Sequence, residues 1–553
     1  MPSCVVPVTT DGWRASTTQS TTGESSSTHT VQDGYIAELD VKDKANWVQI
    51  WAFGVVIVAG GQYYGWTAAY ATGFLPIMIS QLVMGLAFVI YMACAAEVCG
   101  KIAFSGGSYG LSRVTLGFYC GYLIGILELI EYITYAAVSF VFIGNFCTDE
   151  LGMPWTYQPL VHLTCYVVSI GFYQLPGRYL WPSMTVFGFV CGLPLLLYIL
   201  AACPFADLAT NGKLQTDTSA SAWATGDLSS AYFAWAPLTT WAYAGIESLT
   251  LVTDLTIDPL VTMPRGIFAT VATNFLLNVG LVFVVPAVAP GLVAAAENPS
   301  YPLNPGFALG LGLSDMGGKW LMLPAQFGMA FGFVLPYARL AQALADSHLL
   351  PNWLGLLGQT STLKAMIVTS SAGYVICLLS LFVPALDASL QNISILAASF
   401  CYLGQITGFV MLRTIYKTDS VGFQSPFGIW GAYFACFIYL LLAISIIGGF
   451  QGDDGVAVGA LALLVLLSSA YYHCVAKHVQ TISKEEYASI FRFSVMKFNR
   501  RRRKIKTKNR LAAHFSWLHF ASAKSTRSRY DTTTKRDRST KAIPNQGCPG
   551  AAS

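Results

Sequence analysis

Apolar runs long enough to cross a hydrocarbon layer of roughly 30 Å recur along most of this chain. Inside such a layer every backbone N–H and C=O must find a partner within the protein, so each run is read as a membrane-spanning helix. Twelve such spans are expected, at roughly 47–70, 74–100, 116–146, 157–177, 183–204, 233–256, 264–291, 319–344, 365–384, 388–413, 427–449 and 455–475. A mean hydropathy of +0.54 with only 11% charged residues excludes a soluble globular chain. The expected fold class is therefore an all-α polytopic membrane protein with both termini on one side.

Two of these spans are interrupted. Gly54 to Trp66 begins as an apolar helix and then meets Ala59-Gly60-Gly61-Gln62, where paired glycines weaken helix propensity. Five spans later Trp241-Ala242-Tyr243-Ala244-Gly245-Ile246-Glu247-Ser248 repeats the pattern. A break at bilayer depth persists only where the freed backbone groups meet a cavity, a ligand or other protein. Paired breaks in corresponding positions of two halves point to the binding site of a secondary transporter. The N–H groups of Gly60, Gly61 and Gln62 are read as receivers of a carboxylate or hydroxyl, helped by the half-helix dipole. The carbonyls from Ala242 to Gly245 are read as acceptors for an ammonium.

Charge inside the spans is one-sided. Glu128, Glu131 and Glu247 fall near mid-span and Glu97 near an inner end, with no Lys or Arg comparably deep. Each ionised side chain there costs at least ~2.5–3.5 kcal/mol. The three glutamates are therefore protonated, solvated in a cavity or met by a cation. Spacing puts Glu128, Glu131, Tyr132 and Tyr135 on one helix face. Carboxylates beside aromatic faces suit an ammonium group, and Tyr63, Trp241 and Tyr243 extend such a lining. The alternative is that the glutamates are neutral and hydrogen-bonded between helices, with the aromatics in ordinary packing. The candidate substrate residues are Gly60, Gly61, Gln62, Tyr63, Glu131, Tyr135, Trp241, Ala244, Gly245 and Glu247. Glu128, Glu131 and Glu247 are the candidates for proton coupling.

Three regions follow: a Ser/Thr-rich disordered arm over 1–46, a transporter core over 47–475, and a basic tail over 476–553. The tail carries 19 Lys and Arg against 4 Asp and Glu, leaving the rest of the chain at −11 within a total of +4. With the N-terminus cytoplasmic, the inner loops hold Lys101, Arg113, Arg178, Arg265, Lys364, Arg413 and Lys417, and the outer loops collect acids. The run Arg500 to Lys506 is expected to attract anionic lipid. Ser105 to Gly110 is glycine-rich but lacks a preceding strand and a following GK[ST], so it reads as a tight inner loop rather than a nucleotide cradle. The cysteines sit singly, with no CxxC pair, and no metal or cofactor is expected. His162 and His473 are isolated, without HExxH or GxSxG context, and an enzyme is not expected.

Several segments resemble the amino acid–polyamine–organocation (APC) transporter superfamily, and its ethanolamine permease-like branch in particular. They are GGQYYGW at 60–66, AAEVCGKIAFSGGSYGLSR at 95–113, LGFYCGYLIGILELIEYITYAAVSFVFIG at 116–144 and WAYAGIESLTLVTD at 241–254. The resemblance implies an inverted five-helix repeat plus two further helices, with first and sixth helices broken around a midplane site. It also implies carriage of amino acids, polyamines or related amines, often with protons. Related folds bind sodium through eighth-helix hydroxyls, yet Lys319 to Asp346 has no Ser or Thr. Nor does Ser183 to Pro204 hold the lysine that replaces sodium in some relatives. If protons drive the carrier, the glutamates must carry them; uniport and exchange stay open. The expectation is a plasma-membrane carrier of an amino acid or ethanolamine-like solute. The rival is a transporter-fold nutrient sensor that signals through its cytoplasmic tail.

Overall fold

The computed structural model describes residues 40–100, 107–214, 222–224, 227–355, 359–416, 422–452, 454–482 and 487. The arm up to residue 39, Lys101, Ser105 and Gly106 of the glycine-rich segment, Lys417 and nearly all of the basic tail lie outside the described residues.

The described chain is helical throughout, without a β-strand among the described residues. Its principal helices are α1 (Trp47–Val58), α2 (Phe74–Cys99), α3 (Gly107–Thr115), α4 (Phe118–Asp149), α5 (Gln158–Phe172), α6 (Gly177–Ala202) and α7 (Leu228–Trp241). They continue as α8 (Pro259–Val284), α9 (Asp315–Asp346), α10 (Gln359–Phe382), α11 (Pro384–Met411), α12 (Gly428–Ile447) and α13 (Val456–Tyr471). Among the described residues nine helices are long and apolar enough to cross a membrane, and α1 is a shorter apolar helix. Each expected span coincides with one of these helices, the first and sixth only over their opening parts, α1 to Val58 and α7 to Trp241. The addition is α3, which starts at Gly107, so Ser108, Tyr109 and Gly110 belong to a helix and not to the loop that their glycines suggest.

Asn46 starts α1 with a reciprocal cap: its side chain accepts from Val48 and Gln49 N–H, while Gln49 Oε1 accepts from Asn46 N–H at 2.8 Å. Just before it, Ala45 N–H donates to Leu255 O at 2.8 Å and Ile257 N–H donates to Ala45 O at 2.9 Å. This is an isolated parallel bridge between the approach to α1 and the exit from the second interruption. Asp43 accepts from Arg178 at the start of α6, by backbone N–H at 2.9 Å and by guanidinium at 3.2 and 3.3 Å.

Packing sorts the helices into an inner and an outer set. α4 lies against α9 and α11, and α1 lies against α6 and α8. The outer set leaves apolar side chains uncovered; on α6 these include Val186, Phe189, Val190, Leu193, Leu197 and Leu200. That helical stripe is what acyl chains require of a lipid-facing surface. Asn392, the first residue of an Asn-Ile-Ser glycosylation sequon at 392–394, is buried.

Candidate functional site

The first interruption tightens before it breaks. Ala59 keeps helical dihedrals, and its N–H still reaches Val55 O at 2.9 Å. One further turn, Gly60–Tyr63, follows, with Gln62 N–H donating only three residues back to Ala59 O at 3.1 Å. The chain leaves helical geometry at extended Tyr64 and at Gly65, where φ is +85°. Gln62 N–H is thus engaged within the chain, and the Gly60 carbonyl accepts from Gln326 Nε2 on α9 at 3.0 Å.

The second interruption is sharper. Tyr243 and Ala244 N–H both turn back to Thr240 O, and Gly245 takes φ +106°, where a side chain is strained. Its N–H meets Glu247, whose two carboxylate oxygens accept it at 3.0 and 3.1 Å. Two of the carbonyls here are also occupied. Ala242 O accepts from Gln62 Nε2 at 2.8 Å and Asn274 Nδ2 at 2.7 Å, and Gly245 O accepts from the Ser248 hydroxyl at 2.6 Å.

The two interruptions touch each other. A Cβ on Gly61 would fall 2.4 Å from Trp241 O, so glycine alone permits this approach. Gln62 then stitches the breaks to α8: Nε2 also reaches Asn274 Oδ1 at 3.1 Å, and Oε1 accepts from Asn278 Nδ2 at 2.9 Å. Tyr243 OH donates to Asn278 Oδ1 at 2.8 Å. Both ends of the Gln62 amide are taken by protein groups.

Beside this seam two acids converge. Glu131 from α4 and Glu247 from beyond the second break are fully buried. Their Oε1 atoms flank the Tyr402 hydroxyl of α11, at 3.1 and 3.5 Å. Glu131 Oε2, Tyr135 OH and Trp241 Nε1 are buried without a hydrogen-bond partner. The Tyr135 ring meets Trp241 at 4.6 Å and stacks on Phe333 of α9 at 5.4 Å. Neither acid forms an ion pair with a Lys, Arg or His among the described residues.

Other candidates stand apart from that pair. Glu128 accepts from the hydroxyls of Ser108 on α3 and of Tyr132, the latter at 2.9 Å. Tyr63 OH donates to Cys191 O on α6 at 3.0 Å, which turns its hydroxyl to another side. Glu97 in the last turn of α2 is held by the Arg413 guanidinium, with Nε at 2.9 Å. Among the described residues no cluster of His, Cys, Asp and Glu fits a metal ion.

A sequence model described as amino acid permease matches residues 47–469. The chain belongs to that family. Similar curated proteins include uncharacterized transporters of Mycobacterium bovis and Mycobacterium tuberculosis. Each is 25% identical over 301 residues, which is 52% of this chain and 62% of the relative. An uncharacterized transporter of Rhizobium meliloti is 26% identical over 105 residues, 19% of this chain and 23% of its own. The chain thus spans about three-fifths of the length of the mycobacterial relatives it matches. Among solved structures, a manganese transporter of Eremococcus coleocola, crystallised with an aromatic bis-isothiourea substituted compound, is similar at 14% identity with a TM-score of 0.46. That match covers 82% of this chain and 95% of the other.

Four residues of this site were not singled out by sequence. Asn274 and Asn278 do carry a signal, a polar pair spaced i,i+4 within an apolar span. Gln326 is one of two amides in its span, with Gln342. Tyr402 is one of 28 tyrosines, and nothing in its neighbourhood distinguishes it.

Proposed function

We propose that this permease-family chain is a membrane carrier for a small amine-bearing solute, an amino acid or ethanolamine. The observation that carries this reading is the Glu131–Glu247 pair: fully buried, without a basic partner among the described residues, and with Glu131 Oε2 unmatched. An ammonium between the two acids supplies the missing counter-charge, and the faces of Tyr135 and Trp241 add cation–π attraction. Gly61 allows the close backbone approach and Gly245 the positive φ that shape the site, with Ala244 beside them. Gln62 serves as a strut between the breaks rather than as a ligand. Full burial of the pair means that helices must part before a solute enters or leaves, which is the requirement of alternating access. In this reading 47–475 is the transport core, the termini lie in the cytoplasm, the basic tail meets anionic lipid, and the residence is the plasma membrane.

The test is uptake into proteoliposomes by the purified protein. Labelled amino acids, ethanolamine and polyamines are compared with and without an imposed pH gradient. At least one amine is expected to accumulate, and Glu131→Gln should lower its uptake roughly ten- to a hundredfold, the loss of one charge-assisted bond. A silent panel, or a mutant as active as the parent, overturns the proposal.

A further inference from the structure

Tyr402 imposes a proton count on the acid pair. A phenol has a single hydrogen to donate, yet two carboxylate oxygens face this one, Glu131 Oε1 at 3.1 Å and Glu247 Oε1 at 3.5 Å. With both acids ionised, one of these contacts would set acceptor against acceptor, and two buried negative charges would lie together. Both contacts are hydrogen bonds only when at least one acid carries a hydrogen and donates it to the phenolic oxygen. The surroundings decide which acid that is. Glu247 has both oxygens on the Gly245 N–H, a donor that stabilises its charge, whereas Glu131 Oε2 has no donor at all. The hydrogen therefore belongs on Glu131 and the charge on Glu247.

Among the described residues, the Lys and Arg side chains of α9 and α3, which pack against α4, are engaged elsewhere: on α9, Lys319 pairs with Glu150 and Arg339 with Asp254, and on α3, Arg113 donates to Tyr109 OH and Thr481 O. α4 contributes Glu128, already engaged by Ser108 and Tyr132, together with Tyr132 and Tyr135. α2 contributes Tyr91, α11 contributes Cys401 and Tyr402, and α12 contributes Tyr439. All of these are neutral or acidic.

Resting on the amine-carrier reading above, we infer that the Glu131–Glu247 pair holds either one proton or one monovalent amine cation, never both, so that binding the amine expels the proton. In the empty site one proton on two carboxylates leaves a net charge of −1. When the amine binds, the Glu131 O–H bond breaks, its electron pair stays on the carboxylate and the proton passes to water. Two carboxylates and one ammonium again sum to −1. Equal charge in the two loaded states is the condition for exchanging an amine cation against a proton rather than moving them together. Tyr402 is a positioning residue: its hydroxyl accepts from Glu131 in one state and donates to the pair in the other.

Calorimetric titration of the purified full chain with ethanolamine, in two buffers of different ionisation enthalpy near pH ~7, counts the protons released. About one proton per amine bound is expected, with apparent affinity falling up to about tenfold per pH unit on acidification. Glu131→Gln should bind more weakly, with proton release lost and the pH dependence flattened. Tyr402→Phe keeps the ring, and should retain binding while releasing clearly less than one proton. Ethanolamine binding with no proton released, or with proton uptake, overturns the exchange inference while leaving the carrier reading intact. No binding by ethanolamine or by any amino acid of the uptake panel overturns both.

Discussion

Replacing Gln62 by Leu, which is close in volume but cannot hydrogen-bond, tests whether the seam between the two interruptions is structural. The side chain makes three buried bonds: to Ala242 O at 2.8 Å, to Asn274 Oδ1 at 3.1 Å and from Asn278 Nδ2 at 2.9 Å. Ala242 O keeps its second donor, Asn274 Nδ2, at 2.7 Å. The substitution therefore strands two groups, Asn274 Oδ1 and Asn278 Nδ2. A buried polar group left unsatisfied costs about 1–3 kcal/mol, so the expected loss is about 2–6 kcal/mol. Adding Asn278→Leu removes one stranded group, and the double variant should lose less than the sum of the single losses. Denaturation midpoints of the detergent-purified parent, both singles and the double supply the comparison, with uptake read alongside. An unshifted midpoint for Gln62→Leu refutes the strut, and strict additivity refutes the network.

Two shorter predictions concern the ends of the core. The Arg178 backbone N–H, and then its guanidinium, hold the Asp43 carboxyl below its usual range. A carboxyl depressed by folding contributes fully above its unfolded value and loses that contribution only as pH falls through the folded one, so the contact is constant between about pH 5.5 and 7.5. Asp43→Asn should then change the height of the pH–uptake curve in that window and not its shape; a changed shape places a different titration there. At the other end, Thr481 N–H donates to Ser347 O at 3.1 Å and Thr481 O accepts from Arg113 at 2.8 Å. The functional boundary should therefore fall after Ile482 rather than at Ala476. Truncation there is expected to leave uptake unchanged in a carrier, and to abolish signalling output with no uptake at stake in a sensor.

The acids were legible because burying charge is expensive, so glutamates inside apolar runs stand out whatever their surroundings. Spacing could not separate Glu128 from Glu131, which share a helix face. What separates them is Ser108, brought in by a helix that the glycines of 106–110 disguise as a loop. The interruptions were legible as weak helix, but propensity reports where a helix is poor and not where its hydrogen bonds end. Hence the geometric exit lies at Tyr64 and Gly65, past the glycine pair. Of the carbonyls read as acceptors, Ala242 O is met by Gln62 and Asn274 and Gly245 O by Ser248, and Gln62 and Ala242 lie 180 residues apart. No local pattern encodes a contact over that separation. Tyr402 was invisible for the same reason.

The bridge at Ala45 has a mechanical consequence when taken with the Gln62 seam. Two rods pinned together at a single height can pivot like scissor blades. Here the segments bearing the interruptions are joined at their midpoints through Gln62 and Ala242 and again near one end through Ala45, Leu255 and Ile257. A pair fastened at two levels swings as one lever unless the end fastening is peeled open first, and among the described residues the backbone hydrogen bonds of that fastening are the two at Ala45.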